Sequence, residues 1–300
     1  MKSNLFYTFL LLLFSLSMSA QSAVTYKNDS GQSHLLGRIE RADLDQPPYQ
    51  SWFDSIYQDY QIDKEALHKL NASYKEGIQI KIFLGTWCGD SKREVSRFFK
   101  VLDASELDAS NVSLICLDDR RETYKQSPNG DEKGLNIHRV PTFIFYENEE
   151  EIGRIVEHPV TSLEVDMAQI YMGIPSTPNY QLANQIGQLF EKMTVAEVDT
   201  FLNQNSDDLK RKVHEVYELS TYGFVLIAAG ELEKAKVVFQ FNSKLFPDSG
   251  YAMYGLGRAF MLNTENDEAI ECFIKAMELG GEYGYSKMRI KEIMAMQGED

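Results

Sequence analysis

The stretch Lys81-Ile82-Phe83-Leu84-Gly85-Thr86-Trp87-Cys88-Gly89-Asp90-Ser91 decides the fold of this chain. The apolar run from Ile78 to Leu84 has the length and the β-branched content of a buried strand. From Ser91 to Asp103, apolar residues recur at helical spacing, which predicts an amphipathic helix. Cys88 is therefore expected where a strand ends and a helix begins.

This position predicts a reactive thiol at Cys88. Backbone N–H groups and the positive end of the helix dipole stabilise a thiolate at a helix N-terminus, which makes the sulfur a better nucleophile at neutral pH. Lys92 and Arg93 would add positive charge beside it, whereas Asp90 would oppose the effect.

A second motif, Arg139-Val140-Pro141-Thr142-Phe143-Ile144-Phe145-Tyr146, lies about fifty residues further on and leads from a loop into a strand. Trp-Cys-Gly-x-Ser after a strand, followed by this Val-Pro-Thr segment, resembles the active-site turn and the cis-proline loop of the thioredoxin superfamily. The resemblance covers residues 77–173 and implies a thioredoxin-like α/β fold. It also implies that Pro141 is cis and that the backbone of Val140 pairs with an extended substrate segment.

The resemblance assigns catalytic roles to Cys88, Ser91 and Pro141, with supporting roles for Trp87, Gly89, Asp90 and Val140. The chain nevertheless departs from the family, because Ser91 replaces the second cysteine, Asp90 the usual proline and Ile82 a buried acid. The Ser91 hydroxyl can hydrogen-bond a thiolate but cannot resolve a mixed disulfide. We therefore expect a monothiol (CxxS) thiol–disulfide exchange on protein substrates that carry thiols or disulfides. The alternative is a non-catalytic binding or scaffold module.

The segment before residue 77 divides in two. Met1-Lys2, the apolar run Leu5 to Leu16 and the small residues after it predict a signal peptide over 1–20, and hence an exported protein, periplasmic or secreted. Residues 21–76 form an N-terminal extension, partly helical. Within it we expect disorder over 21–33, a short strand at 34–39, and helices over 49–60 and 63–74.

Beyond Cys88, the sequence predicts the remaining elements of the α/β core in alternating order. They are strand 112–117, a polar loop at 126–133, strand 142–147, a hairpin, strand 151–157 and a helix over 162–172. The strands joined through a helix should be parallel and those joined by a short turn antiparallel.

A linker at 174–179, with two prolines, separates this core from residues 180–300, where only helical patterns occur. Thr194-Val195-Ala196-Glu197 is a capping box that opens one helix. A longer helical stretch is expected from about Asp207. Four positions then recur after 34 residues, in segments 216–249 and 250–283: Gly223, Leu226, Ala235 and Phe239 match Gly257, Phe260, Ala269 and Phe273.

This period resembles tetratricopeptide (TPR) repeats, so the resemblance implies an all-α TPR-type domain. In that family the first helix of each repeat lines a groove that binds a peptide partner. By position, the groove would contain Phe224, Tyr251, Tyr254 and Arg258. The alternative is that the repeats only dock onto the α/β domain.

Composition excludes several classes of partner. The formal net charge of −15 disfavours nucleic acid and anionic membrane surfaces, and no run after the signal peptide is long and apolar enough to span a membrane. The five histidines show no ligand spacing and no cofactor motif is present, so we expect neither a metal nor a cofactor. We expect Cys116 and Cys272 to be packing residues of a strand and a helix. A Cys88–Cys116 disulfide is the alternative.

Overall fold

The computed structural model describes residues 23–28, 30–175 and 177–297. This part of the chain forms a six-stranded mixed sheet with helices, followed by a run of helices, which confirms the predicted order of an α/β part and an all-α part. The predicted signal peptide, residues 1–20, lies outside the described residues. Within them, no helix combines the length and apolarity needed to cross a membrane.

The six strands make one sheet in the order β1-β2-β4-β3-β5-β6. Strands β3 and β4 are parallel and β5 and β6 are antiparallel, as predicted. The other neighbouring pairs are antiparallel as well. The edge strand β6 has a register shift at Ile152, which lies between the partners of Phe145 and Tyr146. The strand bounds are β1 Val24–Lys27, β2 Ser33–Ile39, β3 Gln79–Leu84, β4 Val112–Cys116, β5 Thr142–Glu147 and β6 Glu150–Val156.

The helices of the α/β part all pack on one face of the sheet. Their bounds are α1 Arg41–Leu44, α2 Gln50–Asp59, α3 Lys64–Ser73, α4 Gly89–Ala104 and α5 Leu163–Tyr171. Side chains alternate along a strand, so Ile80, Ile82 and Leu84 of β3 face these helices while Phe83 faces the other way. The opposite face is covered by the segment 117–141 and by Trp87 and Cys88.

The prediction of disorder over 21–33 is wrong for part of that segment. Residues 24–27 form β1, which pairs with β2 from Val24 opposite Leu36 to Lys27 opposite Ser33. The Asn28 side-chain oxygen accepts hydrogen bonds from the backbone N–H groups of Ser30 and Gln32 and so organises the turn. The polar composition of this segment gave no indication of a strand, because β1 is ordered by its pairing with β2.

The helical part begins at Gln181, and its helices α9 to α12 carry the 34-residue repeat. The single helical stretch expected from about Asp207 is wrong, because α8 ends at Lys210 and α9 begins at Val216. The bounds are α6 Gln181–Lys192, α7 Val195–Gln204, α8 Ser206–Lys210, α9 Val216–Ala228, α10 Leu232–Leu245, α11 Gly250–Leu262, α12 Asn266–Glu278 and α13 Tyr283–Gln297. The capping box of Thr194 and Glu197 is present at the start of α7.

Equivalent contacts join the two helices of each repeat. A Cβ atom placed on Gly223 would lie 2.5 Å from the ring of Phe239, and one on Gly257 would lie 2.7 Å from the ring of Phe273. Both phenylalanines are fully buried. The same glycine–phenylalanine contact thus occurs twice, 34 residues apart, and lets the paired helices approach closely.

Candidate functional site

Cys88 lies at the junction that the sequence predicts. It is the N-cap residue of α4, with extended backbone geometry, and its backbone N–H donates to the Gly85 carbonyl at 2.9 Å. Its own carbonyl accepts from the Lys92 N–H at 3.1 Å, which begins the helix. The side chain is partly exposed, so the sulfur sits at the positive end of a sixteen-residue helix and within reach of solvent.

The thiol of Cys88 faces the loop that contains Pro141. It donates to the Val140 carbonyl at 3.3 Å, and the Val140–Pro141 peptide bond is cis. Two further hydrogen bonds fix this loop: the Thr142 hydroxyl donates to the Arg139 carbonyl, and the Glu157 N–H donates to the Pro141 carbonyl, both at 2.7 Å. The two motifs read from the sequence therefore meet at Cys88.

Trp87 covers the turn between β3 and α4. Its indole N–H donates to the Leu117 carbonyl at 2.8 Å, and its ring lies over Gly85. A Cβ atom at Gly85 would meet that ring at 2.5 Å, so only glycine allows this close approach. On the other side, the Thr86 hydroxyl accepts from the Leu35 N–H at 3.1 Å, which ties the turn to β2.

The three residues that follow Cys88 make different contacts. Ser91 is buried, and its hydroxyl accepts a hydrogen bond from the Gly85 N–H at 3.1 Å, so it supports the turn rather than the thiol. Asp90 forms an ion pair with Arg93 at 2.7 Å, and Arg93 also contacts Glu94. These carboxylates largely neutralise the positive charge that Arg93 was expected to add beside Cys88. Gly89 is exposed.

Lys125 is a site residue that the sequence reasoning missed. The segment after β4 folds back through hydrogen bonds between the backbones of Asp118 and Lys125 and of Asp118 and Gln126, and it places Lys125 at 3 % exposure. Its ammonium donates to the Tyr124 hydroxyl at 2.7 Å, and the Tyr124 ring lies 6.3 Å from that of Trp87. A lysine in a polar loop carries no sequence signal of burial, so this residue could not have been singled out.

Burial dominates the titration of this pair. It lowers the pKa of Lys125 to about 7, and the positive charge of Arg139 lowers it further, whereas the carboxylate of Glu157 and a thiolate at Cys88 would oppose the shift. Burial also raises the pKa of Tyr124 to about 12. Lys125 and Tyr124 thus share an electrostatic environment with the Cys88 sulfur.

The four predicted groove residues line one cleft of about 540 Å³, which we call the Arg258 cleft: Phe224, Tyr251, Tyr254 and Arg258. Asp119, Arg121 and Tyr124 of the α/β part form the facing wall. The helical part also docks on the α/β part, since Arg139 donates to the Tyr217 carbonyl at 3.0 Å. The structure thus contains the docking contact and a cleft at the predicted groove residues, and the binding of a peptide in that cleft stays a prediction.

The other two cysteines differ in exposure, since Cys116 is buried and Cys272 is partly exposed, as Cys88 is. Cys116, at the end of β4, is fully buried, and burial raises the pKa of its thiol. Burial also raises the pKa of Cys272 to about 11. Cys88 and Cys116 are both free thiols, so the structure does not contain the alternative disulfide.

No cluster of three or more His, Cys, Asp or Glu side chains with metal-site geometry occurs within 23–28, 30–175 and 177–297. A scan of the chain against protein-family models gave no match, and a search of curated proteins gave none either. The chemistry of the site therefore rests on the geometry of Cys88 and its neighbours.

Proposed function

We propose that the chain carries out thiol–disulfide exchange on protein substrates through the single nucleophile Cys88. One observation carries this proposal: the sulfur lies at the N-terminus of α4 and opposite the carbonyl of Val140, in the loop that leads into β5. A helix N-terminus favours the thiolate, which is the form that attacks a disulfide. The neighbouring loop offers backbone to an extended substrate segment.

The reaction proceeds in two exchanges. The Cys88 thiolate attacks one sulfur of a substrate disulfide, so a Cys88–substrate disulfide forms and the other substrate sulfur leaves as a thiolate that takes up a proton. A second thiol, either external or from the same substrate, then attacks the mixed disulfide, forms a new disulfide and releases Cys88. Ser91 cannot supply that thiol, and its hydroxyl is engaged by Gly85.

We also propose the finer assignment of the two parts, a thioredoxin-type α/β domain and a TPR-type helical domain. The Trp-Cys turn and the Val-Pro-Thr loop, brought together at Cys88, support the first. The glycine–phenylalanine contact that recurs after 34 residues supports the second. Export to the periplasm or the cell exterior is a proposal that rests on the N-terminal sequence alone.

The alternative is a binding module in which Cys88 never turns over. The observation that favours it is the occupation of the second-cysteine position by Ser91, which has a structural use at Gly85. In that case the Arg258 cleft would be the working surface and the Cys88 turn a folding device.

Alkylation distinguishes the two functions. The full chain is treated with iodoacetamide across neutral pH, and peptide mapping by mass spectrometry reports the rate at each cysteine. We expect Cys88 to react at least about tenfold faster in the folded chain than in the same chain unfolded in urea, because its partly exposed sulfur lies at the N-terminus of α4. Cys88 should also form a mixed disulfide with an oxidised peptide, which glutathione then releases.

The matched control is Cys88→Ser, which should lose the mixed disulfide while the slow reaction of Cys272 stays unchanged. Equal rates for folded and unfolded Cys88, with no mixed disulfide, would reject the exchange reaction and leave the binding module.

A further inference from the structure

Lys125 is buried in the segment that covers Cys88, without an ion-pair partner among the described carboxylates. Near one end of that segment, the Leu117 carbonyl accepts from the Trp87 indole at 2.8 Å. Near the other end, the Val140 carbonyl accepts from the Cys88 thiol at 3.3 Å. Lys125 lies between these two contacts along the chain, with 3 % of its surface exposed. The segment that carries the buried lysine thus also contacts the sulfur.

The backbone of Lys125 adopts a conformation that is unfavourable for most residues. Its φ of 57° lies in the left-handed region, where a lysine is seldom found. The Lys125 N–H donates to the Asp118 carbonyl at 2.8 Å, and the Asp118 N–H donates to the Gln126 carbonyl at 3.1 Å. These bonds hold the strained residue in place, and its ammonium donates to the Tyr124 hydroxyl at 2.7 Å. The loop therefore retains an unfavourable backbone conformation at the position where it buries a charge.

The carboxylates around Lys125 do not supply its counter-charge. Glu157 acts on Lys125 but pairs with Arg139 at 3.2 Å, and the charge of Arg139 repels the ammonium. His138 adds no charge at neutral pH, because burial lowers its pKa to about 3. Among the described residues, a thiolate at Cys88 is therefore the remaining negative charge that acts on Lys125.

Electrostatic coupling of this kind is reciprocal. If a Cys88 thiolate favours the Lys125 ammonium, that ammonium favours the thiolate to the same extent. The pair forms when Cys88 loses a proton and Lys125 gains one, so the net charge of the covered site does not change. Because burial lowers the pKa of Lys125 to about 7, both of its protonation states are populated at neutral pH. Cys88 is partly exposed and Tyr124 lines the Arg258 cleft, so protons can reach the site from solvent.

We propose that Lys125 is the counter-charge of the Cys88 thiolate and returns its proton when Cys88 becomes part of a mixed disulfide. This inference rests on the proposed function and adds a positioning residue to it, because Lys125 acts through Cys88 rather than on the substrate. The burial of a lysine without a carboxylate partner then has a use in the reaction.

Protons and electrons balance in both exchanges. When the thiolate attacks, the Cys88–substrate disulfide forms, the substrate S–S bond breaks and its electron pair stays on the leaving sulfur. Cys88 is then uncharged, so the Lys125 ammonium has lost its counter-charge, and its proton passes through solvent to the leaving thiolate. In the second exchange the attacking thiol gives up a proton, Lys125 takes one up and Cys88 leaves as a thiolate.

The first test follows the titration of Lys125 itself and needs no turnover. NMR of the full, reduced chain with ¹³C-labelled lysine reports each side chain, and the signal missing from Lys125→Met belongs to Lys125. We expect that signal to titrate near pH 7. In Cys88→Ser, which cannot form a thiolate, the midpoint should fall by at least about 0.5 pH units, whereas Cys272→Ser should not move it. An unchanged midpoint in Cys88→Ser would overturn the proposal.

The second test measures how fast Cys88 forms a mixed disulfide with an oxidised peptide over a range around neutral pH. Lys125→Met should slow this step at least about fivefold at about pH 7, and the difference should shrink toward about pH 9 as Lys125 loses its proton. Tyr124→Phe, which removes the hydroxyl that accepts from the ammonium, should slow the step about threefold. Lys133→Met, an exposed lysine of the same loop, is the matched control and should follow the unmodified chain.

The outcomes separate this inference from the proposed function. No slowing in Lys125→Met, or slowing with a pH profile parallel to that of the unmodified chain, would overturn the role of Lys125 and leave the exchange reaction standing. Absence of a mixed disulfide in the unmodified chain would reject the exchange reaction, and the NMR midpoint would then show by itself whether the two charges are coupled.

Discussion

Lys125 holds a buried ammonium that forms no ion pair with a described carboxylate. The nearest polar partner is the neutral hydroxyl of Tyr124, and Arg139 adds a repulsive charge. The folded pKa, about 7, lies below the ordinary value of 10.5. In the window between these values the unfolded chain binds more protons than the folded one, so the contribution of Lys125 to stability rises with pH. Below about pH 7 the folded protein carries the full cost of the buried charge.

Lys125→Met should therefore stabilise the protein most at low pH. We expect its advantage over the unmodified chain in free energy of unfolding to shrink by roughly 2–3 kcal/mol between pH 6 and pH 9. Urea unfolding at the two pH values measures this difference. Lys133→Met, an exposed lysine of the same loop, is the matched control and should give a difference that does not change with pH. A constant difference for Lys125→Met would show that its ammonium is not desolvated.

At the scale of residues, the strand, turn and helix that follow one another predicted the position of Cys88, whereas the roles of Trp87 and Pro141 came from the resemblance to a known family. Lys125 could not be predicted, since its burial depends on how segment 117–141 folds back. Asn242 shows the same limit. Its side chain is polar, yet its amide donates to the Val216 carbonyl and the Ser220 hydroxyl from a fully buried position.

At the scale of elements, the glycines of the repeat set how closely the helices approach. Phe239 lies between Gly223 of α9 and Gly255 of α11, and Phe273 lies against Gly257. A methyl group at either glycine would overlap an aromatic ring that is fully buried and cannot move into solvent. Strain in a closely packed core outweighs the better helix propensity of alanine.

We expect Gly223→Ala and Gly257→Ala each to lower the free energy of unfolding by about 1–3 kcal/mol. Denaturant unfolding followed by circular dichroism measures the loss. Gly284→Ala, on an open surface of α13, is the control and should be neutral or slightly stabilising. Gly223→Ala combined with Phe239→Leu should lose less than the sum of the two single changes. Full stability of both alanine variants would mean that the helices can separate without cost.

The bounds of helices and strands could be predicted from the spacing of apolar residues where each element packs against its neighbours in the sequence. Strand β5 has the predicted bounds, and α4 extends the predicted helix by two residues at its start and one at its end. The strand β1 was not predicted, because its four residues are stabilised by pairing with β2 and only one is even half-buried. Long-range pairing of this kind leaves no periodic pattern in a single sequence.

At the scale of the whole molecule, Arg139 joins the two parts of the chain. Its guanidinium pairs with Glu157 at 3.2 Å, donates to the Tyr217 carbonyl at 3.0 Å and lies 4.2 Å from the centre of the Tyr180 ring. The Tyr180 hydroxyl also contacts Glu157. One side chain next to the Pro141 loop therefore contacts the start of α9 and the residue that precedes α6.

Arg139→Met should loosen this interface, because it leaves Glu157 and the Tyr217 carbonyl without their donor. We expect amides of segments 135–141 and 216–222 to exchange with deuterium at least about threefold faster, as a loss of 1 kcal/mol changes an opening equilibrium about fivefold. Hydrogen exchange followed by mass spectrometry measures both segments, with β3 as an internal reference. Arg41→Met, which breaks an ion pair with Asp103 inside the α/β part and away from both measured segments, is the control. Unchanged exchange in both segments would contradict the coupling.

The order of an α/β part and a helical part could be predicted from composition and repeats. The way the two parts meet could not, since the interface depends on single side chains such as Arg139 and Tyr222 whose partners lie far along the chain. The cleft residues on α9 and α11 were named from their positions in the repeat that the resemblance implies, whereas the wall formed by Tyr124 required the folded structure.

The two edge strands of the sheet, β1 and β6, determine whether the protein can aggregate through its strands at high concentration. Strand β1 spans four residues, and β6 is interrupted at Ile152 and carries the charged residues Glu150, Glu151 and Arg154. An exposed edge seeds aggregation when it is long, flat and apolar, since another chain can then add a strand to it. One edge of this sheet is too short for such addition and the other is bent and charged, so the fold itself disfavours polymerisation through its strands.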